Sequence, residues 1–592
     1  MRDRRKGMST SQHIACLSCQ TLYSTIICNF CRFSIFFVPD LLRVTITINT
    51  RAEITHGSML ASRSRAHGGL ISTRGRKRIE CKAIFLQQLS SLFQGKRTEQ
   101  QSFGNVSSHM LAWYLQRGLQ PGPLELKDCG AEGRGLVAST RIKRGQRIVH
   151  VPSQTIITSK VAVECSSLKP LLQQQQQQQR QGEVELPAWS LLALFLAELR
   201  YWGAQAQLHS RTEKDNNNSD NMGSQRSSDS SNGSDRGSHG RGVPSGMSEW
   251  LPYLEALPDD PGTVLSWPRQ QVQGLLQGSP LLTKALSITN GVAASFEQLH
   301  PIIKQAEQEG LIPEKALDKE GIFWAFGILL SRLVRLSGKD DEEALVPWAD
   351  FLNHSPHVGC HLDWDSAADG GQGAVVLYAD TDYQAGQQVY ISYGERTAGQ
   401  LLLSYGFCPN PSTHPHEAYL LQLGMREADP LYAVKARALS KRGFDPDGPE
   451  WPLKLDGLPA GIVAWAAFRA AGSAQTSEAE IEALATMLFG EPSGRASSPS
   501  ALAGPLPYED LGLQELGAMC GALLKGYPTS MEQDRATASG ATSGKSQQPP
   551  GSQVQERQRC TAAIRVVERQ ILARTQFIAS SQARAIRKSG RR

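Results

Sequence analysis

Short β-type runs occur at Leu136–Ala138 and Arg147–Val151, inside a Gly- and Pro-punctuated stretch from Leu124 to Thr158. They do not return until Ala374–Ala379 and Gln388–Tyr393. In the last of these, Val389, Ile391 and Tyr393 alternate with Tyr390 and Ser392, the period of a half-buried strand. The long interval between the two groups reads as helix. Ala188 to Trp202 is an apolar helix, and Glu320 to Leu336 places Ile322, Phe323, Phe326, Leu329, Leu330 and Leu333 at helical spacing. Residues after about 414 also read mostly as helices. The fold class that follows is α+β: a split β-rich unit with a helical insertion over about 187–343, followed by an all-α domain over 414–592.

Three inserts interrupt this body. Gln173–Gln179 is a pure glutamine run. The segment 209–249 contains no Leu, Ile, Phe, Trp or Tyr, so it cannot bury a core and is expected to be a disordered loop. Residues 536–556 are similar. The first hundred residues carry sixteen Lys and Arg against five acids, whereas the formal charge of the whole chain is +6. The remainder is therefore mildly acidic, and the basic balance is no argument for nucleic-acid binding.

Residues 1–108 are expected to be a basic leader, a transit peptide or disordered. From Met59 to Lys82 the run is rich in Arg, Ser, Ala and Gly with Glu80 its only acid, and an amphipathic segment, Ile84 to Phe93, follows. That composition predicts an organelle transit peptide and a chloroplast location, with cytoplasm or nucleus as alternatives. A gene start at Met59 is compatible with it. The apolar stretch Thr21 to Val38 holds Asn29 and Arg32 and falls short of a membrane span. Cys16, Cys19, Cys28 and Cys31 form two C-x2-C pairs, but the spacer is short for a zinc ribbon. The eleven cysteines are too sparse for a disulfide scaffold and read as a reducing compartment.

Four segments carry residue types suited to chemistry. They are Glu132-Gly133-Arg134-Gly135-Leu136-Val137-Ala138, Ser331-Arg332 at the end of an apolar helix, Asp350-Phe351-Leu352-Asn353-His354-Ser355, and Tyr393-Gly394 followed by Tyr405-Gly406-Phe407. Each alone has a bland reading: a tight turn, a snorkelling arginine, a core tyrosine. Together and in this order they resemble a SET-domain protein methyltransferase. Trp324-Ala325-Phe326-Gly327-Ile328-Leu329 before Ser331-Arg332, and Glu532-Gln533-Asp534-Arg535 near the C-terminus, make the chain similar to the Rubisco large-subunit lysine methyltransferase group. The likeness covers roughly residues 109–580. It implies a SET domain over 109–413 and a helical substrate-binding domain over 414–592.

The resemblance implies S-adenosylmethionine as cofactor and methyl transfer to a lysine of a non-histone protein. The Glu132, Gly133 and Arg134 backbone would lie along the cofactor, with no Cβ at Gly133 to prevent close approach. Arg332 would bind the cofactor's carboxylate by charge-assisted hydrogen bonds. Asn353 and His354 would hold its methionyl and adenine parts. Tyr393 is the expected catalytic residue, orienting the amine and contacting the methyl group, and Tyr405 and Phe407 would line the channel. Ser331, Arg332 and Asp350 would meet the substrate. A lysine near pKa 10.4 must lose its proton first, and desolvation beside a cation lowers that pKa.

Arg134 and Pro356 depart from the family pattern. Val334 stands near the position where the histidine-methylating branch has Asn, which favours lysine. His354, His357, Cys360, His361 and Asp363 are close in sequence, but His354 belongs to the cofactor motif, so no metal is expected. The expected partner is a protein substrate, with Rubisco large subunit or another plastid protein among the candidates; neither nucleic acid nor membrane is expected, and the chain is expected to be a monomer. The alternatives are a non-catalytic SET-scaffold adaptor and a protein-histidine methyltransferase.

Overall fold

Strands from either side of the helical insertion pair with one another. In the computed structural model, which describes residues 108–179, 186–220, 243–492, 506–540 and 552–589, four strands precede the insertion: β1 (Leu124–Asp128), β2 (Arg134–Ala138), β3 (Arg147–Pro152) and β4 (Ile157–Thr158). Six follow it: β5 (Leu333–Leu336), β6 (Glu342–Leu345), β7 (Asn353–His354), β8 (Asp363–Asp365), β9 (Ala374–Tyr378) and β10 (Tyr390–Ile391). β1 pairs antiparallel with β2. β3 pairs with β9, placing His150 opposite Val376, and β9 pairs with β8. β4 pairs with β6, which pairs with β5. β7 and β10 run parallel, with Tyr390 opposite Asn353 and Ile391 opposite His354. That last pair sets the site, because it brings the Asn-His motif alongside the strand leading to Tyr393.

The helix Lys319–Arg332 buries Ile322, Trp324, Ala325, Phe326, Gly327, Ile328 and Leu329, and Asp318 caps its start by accepting from the Gly321 N–H at 2.7 Å. It stops four residues short of the expected Leu336, so the helical insertion ends at Arg332 and not at about 343. Leu333 turns extended, and Leu333–Leu336 joins the sheet as β5. Arg332 therefore sits at a helix-to-strand corner facing the site.

All three inserts are helical at ends that can be described. Lys169–Gln179 is helical, anchored by buried Leu171 and Leu172, and glutamine sustains a helix once one is nucleated. Ala188–Asp220 is one continuous helix, so residues 209–220 extend it, and Met247 near the far end of the segment is buried. At the third insert the helix Met531–Ala538 runs into it and Gln553–Ser589 begins inside it. The basic leader, Cys16, Cys19, Cys28 and Cys31 lie outside the described residues. No helix among the described residues is long and apolar enough to cross a membrane.

The C-terminal domain is helical around a core that includes Trp465, Phe468, Leu488, Phe489, Leu513, Ile571 and Leu572. It also holds a two-stranded antiparallel ribbon, β11 (Tyr419–Gln422) with β12 (Glu450–Leu453), which the sequence pattern did not suggest. The long helix Gln553–Ser589 joins the two domains. Its later turns enter that core, while Cys560 and Ile564 pack with Val264, Trp267, Leu281 and Leu402 of the SET side. Across this junction Ser279 Oγ donates to Glu568 Oε1 at 2.6 Å, and Tyr527 OH donates to Glu568 Oε2 at 2.8 Å. Glu417 Oε2 accepts the Ala398 N–H at 3.0 Å.

Burial pushes both carboxyls up, each to about 7. Between the ordinary value of about 4.3 and about 7 the folded state holds protons that the unfolded chain has released. The stability these groups contribute is thus present at low pH and is lost as pH rises through about 7. Glu568→Gln, which mimics the protonated acid, is expected to gain stability relative to wild type at pH 8 compared with pH 5. Urea unfolding of both proteins at the two pH values measures this.

Candidate active site

The helix Ala398–Tyr405 begins with a capping box in which Thr397 and Gln400 satisfy each other's backbone N–H, and ends at Gly406 in the left-handed region (φ 79°). A Cβ at Gly406 would lie 2.8 Å from the Pro261 carbonyl oxygen, so only glycine fits there. This cap turns Tyr405 and Phe407 towards Tyr393. The Tyr393 and Tyr405 rings stack with centroids 4.6 Å apart, and Tyr393 stacks on His354 at 5.1 Å on its other contact. Phe407 packs edge-on to both tyrosines and is 38% exposed, placing it at the mouth of this aromatic group.

Tyr393 OH donates to the Leu352 carbonyl at 2.8 Å, and burial pushes its phenol well above the ordinary value. The phenol therefore stays protonated, its one hydrogen is committed, and its lone pairs remain to accept. The Tyr393 N–H donates to His354 Nδ1 at 3.0 Å. The Ile391 carbonyl lies farther from Nδ1, at 3.4 Å, so the nearer contact assigns Nδ1 as acceptor and places the neutral ring's hydrogen on Nε2, which is buried without a partner. Burial lowers the imidazole to about 4, so it stays neutral at physiological pH.

Asn353 Nδ2 donates to Gln388 Oε1 at 2.8 Å, with the Arg134 and Glu132 carbonyls at 3.4 and 3.5 Å. Gln388 Nε2 in turn donates to Glu132 Oε2 at 2.5 Å, and Tyr390 OH donates to the same oxygen at 3.0 Å. This network assigns the Asn353 amide orientation and leaves its Oδ1 as acceptor. It also relocates a glycine requirement. Gly133 has φ 70° but open space where a Cβ would stand, whereas a Cβ on Gly135 would lie 2.1 Å from Gln388 Oε1 and 2.8 Å from Asn353 Nδ2. The tight approach within the protein is therefore at Gly135, while Gly133 supplies the turn. Gly135→Ala is expected to displace both amides and to weaken binding of S-adenosylhomocysteine by about tenfold or more, measured by calorimetry; each tenfold corresponds to about 1.4 kcal/mol.

Arg332 and Asp350 form an ion pair with the carboxylate buried and the guanidinium partly buried. Arg332 Nη1 donates to the Asp350 carbonyl at 2.8 Å and to Asp350 Oδ2 at 3.1 Å. Tyr253 OH, from the insertion, donates to Oδ2 at 2.9 Å. Burial pushes the Asp350 carboxyl up, and Arg332 and Tyr253 pull it back. Asp350 Oδ1 is buried and has no partner. Ser331 Oγ lies 3.1 Å from both the Gly327 and Ile328 carbonyls, so its hydrogen is used inside its own helix and only its lone pairs face elsewhere.

The predicted residues thus converge as two adjoining groups: Glu132, Gly133, Arg134 and Asn353 on one, and Tyr393, His354, Tyr405 and Phe407 on the other, with Arg332 and Asp350 between β2 and the insertion. Sequence reasoning missed Tyr253 and Gln388. Neither carried a local signal, because each meets its partner far away in sequence. Cys360 turns away to the Tyr390 carbonyl at 3.3 Å, and among the described residues no three His, Cys, Asp or Glu side chains group as metal ligands would.

A split β unit bearing Asn353-His354 beside a terminal tyrosine motif, with a helical insertion, is the architecture of a SET domain. The SET-domain family model matches residues 133–394, and the Rubisco LSMT substrate-binding family model matches residues 426–572. The chain carries both domains, the composition of the SET-type protein methyltransferases to which it is similar. Among its relatives is the chloroplastic Rubisco large-subunit N-methyltransferase of Pisum sativum, 27% identical over 72% of this chain and 75% of that protein. Actin-histidine N-methyltransferase of Xenopus tropicalis is 24% identical over 60% of this chain, which spans about half (51%) of that longer protein. Solved structures of the SET domain of LSMT bound to lysine and AdoHcy (TM-score 0.58) and of Rubisco LSMT bound to AdoMet (TM-score 0.55) share the fold. Each is 23% identical, covering 81% of this chain and 92% of the solved one.

The residues present fit that cofactor. Its ammonium needs an acceptor, and Asp350, which the resemblance assigned to the substrate, offers in Oδ1 a buried acceptor without a partner. Its carboxylate needs a cation, and Arg332 is one. Its backbone-facing edge needs open space, which the Gly133 turn leaves.

Proposed function

We propose that the chain methylates the side-chain amine of lysine in a non-histone protein. The observation that carries this reading is the Tyr393 phenol, whose hydrogen is committed to Leu352 and whose lone pairs are free to accept from an amine N–H. S-adenosylmethionine supplies a methyl group on a sulfonium. The protein's task is to hold a neutral amine in line with it, and positioning alone is worth several kcal/mol. The stacked Tyr393 and Tyr405, with Phe407 edge-on at the mouth, offer an apolar surrounding that disfavours a charged ammonium, so no strong base is needed.

Similarity to both lysine and histidine methyltransferases makes the target residue the point to test. Val334 supports lysine: it is an aliphatic residue in β5, two residues after Arg332, near where the resemblance places an amide in the histidine-methylating branch. An adaptor role sits poorly with the intact Arg332, Asn353, His354 and Tyr393. Residues 109–592 incubated with labelled S-adenosylmethionine and plastid or whole-cell extract should label a protein, and mass spectrometry of the modified peptide should show methyllysine. Methylhistidine would move the assignment to the other branch, and no labelling would favour the adaptor.

The substrate proposed for first trial is Rubisco large subunit, on similarity to the pea enzyme, and the location proposed is the chloroplast, on the Met59–Lys82 composition. A reporter fused after the first hundred residues that stays in the cytosol would remove the second proposal.

A further inference from the structure

Arg134 is a departure from the family pattern, and its side chain lies where it has a use. Its guanidinium carbon sits 5.3 Å from the Phe351 ring centroid, and that of Arg332 sits 5.6 Å from the same ring. The two cations are therefore neighbours around one buried phenylalanine. The carboxylate beside them, Asp350, is paired with Arg332, and its side chain is 1% exposed. Arg134 gives one hydrogen bond to the protein, from Nη2 to the Ala256 carbonyl at 2.7 Å, out of five N–H donors. The short helix Leu251–Ala256 that ends at this carbonyl also carries Tyr253, which holds Asp350. The insertion thus fixes both the extra cation and the shared anion.

Two guanidiniums with one carboxylate leave a partly buried excess of one positive charge. Such an excess is costly unless an anion arrives, and guanidinium forks match carboxylates well. Arg332 and the 132–134 turn also border this spot, and Asn353 reaches the Arg134 carbonyl at 3.4 Å. The place therefore belongs to the cofactor's amino-acid end and not to the aromatic channel.

We propose that the Arg134 side chain is a second carboxylate-binding cation, acting with Arg332 on the α-carboxylate of the cofactor while Asp350 Oδ1 receives its α-ammonium. This rests on the methyltransferase reading above and adds to it a residue whose contribution was expected from its backbone alone. Electrostatically the pair is consistent: burial and Arg332 both lower the Arg134 guanidinium, and Asp350 raises it.

The test compares two ligands that differ at that end. S-adenosylhomocysteine has the carboxylate and ammonium, and 5′-methylthioadenosine has neither. Calorimetry on wild type, Arg134→Met and Arg134→Lys should show S-adenosylhomocysteine weakened about tenfold or more by Arg134→Met and partly recovered by Arg134→Lys. Affinity for 5′-methylthioadenosine should be unchanged in all three. Equal loss for both ligands would mean a merely structural role and overturns the proposal. Unchanged S-adenosylhomocysteine affinity overturns it too, including the case where only the KM for the protein substrate rises, which would make Arg134 a substrate contact. Wild type failing to bind S-adenosylhomocysteine at all would instead overturn the methyltransferase reading itself.

Discussion

Tyr393→Phe is expected to lower the rate of methyl transfer on the order of 10²–10³-fold, the loss typical of removing one oriented polar group at a reacting centre. The effect should fall on kcat. The ring stays stacked between His354 and Tyr405, and the Tyr393 N–H still fixes His354, so the cofactor's surroundings are kept. What is lost is the oxygen that accepts from the amine, together with a hydrogen bond to Leu352 worth about 1 kcal/mol of stability. Single-turnover transfer, with calorimetric affinity for S-adenosylhomocysteine alongside, separates these. A rate within threefold of wild type would remove Tyr393 from the chemistry. A rate loss matched by lost cofactor affinity would instead make it a binding residue. Because burial holds this phenol neutral, its ionisation should not shape the pH–rate profile in the physiological range.

How far the sequence revealed this site depends on the range of each contact. The motif order was readable because each motif is local: the Asn353-His354 pair, the capped turn at Tyr405-Gly406-Phe407, the glycine turn at 132–135. The β unit was readable too, since Val389 and Ile391 do face inward and are buried. What holds the motifs in register was not. Tyr253 meets Asp350 across 97 residues, and Gln388 meets Glu132 across 256. No spacing rule reaches that far, and neither residue type is unusual by itself. The same limit misplaced the tight glycine. Gly133 and Gly135 look equivalent in a Gly-x-Gly, and only the tertiary neighbours Gln388 and Asn353 tell them apart. Polar composition misled in the other direction. Residues 209–220 have no core-forming side chains, yet they continue a helix already nucleated by the buried run from Trp189 to Trp202.

Removing Asp350 is expected to cost about 3–5 kcal/mol of stability, because Asp350→Leu leaves the partly buried Arg332 without its counter-charge and the Tyr253 hydroxyl without its acceptor. The nearby Arg134 makes this worse, since the lone carboxylate is what offsets two cations. The companion change behaves differently. Burying an ion pair carries a desolvation cost that its attraction barely repays, so replacing both partners by apolar residues is often neutral. Asp350→Leu combined with Arg332→Met should therefore recover much of the stability that the single change loses, leaving Arg134 as the remaining uncompensated cation. Activity should not follow. The double variant has neither the acceptor for the cofactor's ammonium nor its main carboxylate donor, so it should stay folded and fail to methylate. Urea unfolding of the two single variants and the double variant gives the coupling energy directly. A coupling below about 1 kcal/mol would show that the pair is too well solvated to organise the site. A double variant that regains methylation would show that these charges serve the fold and not the cofactor.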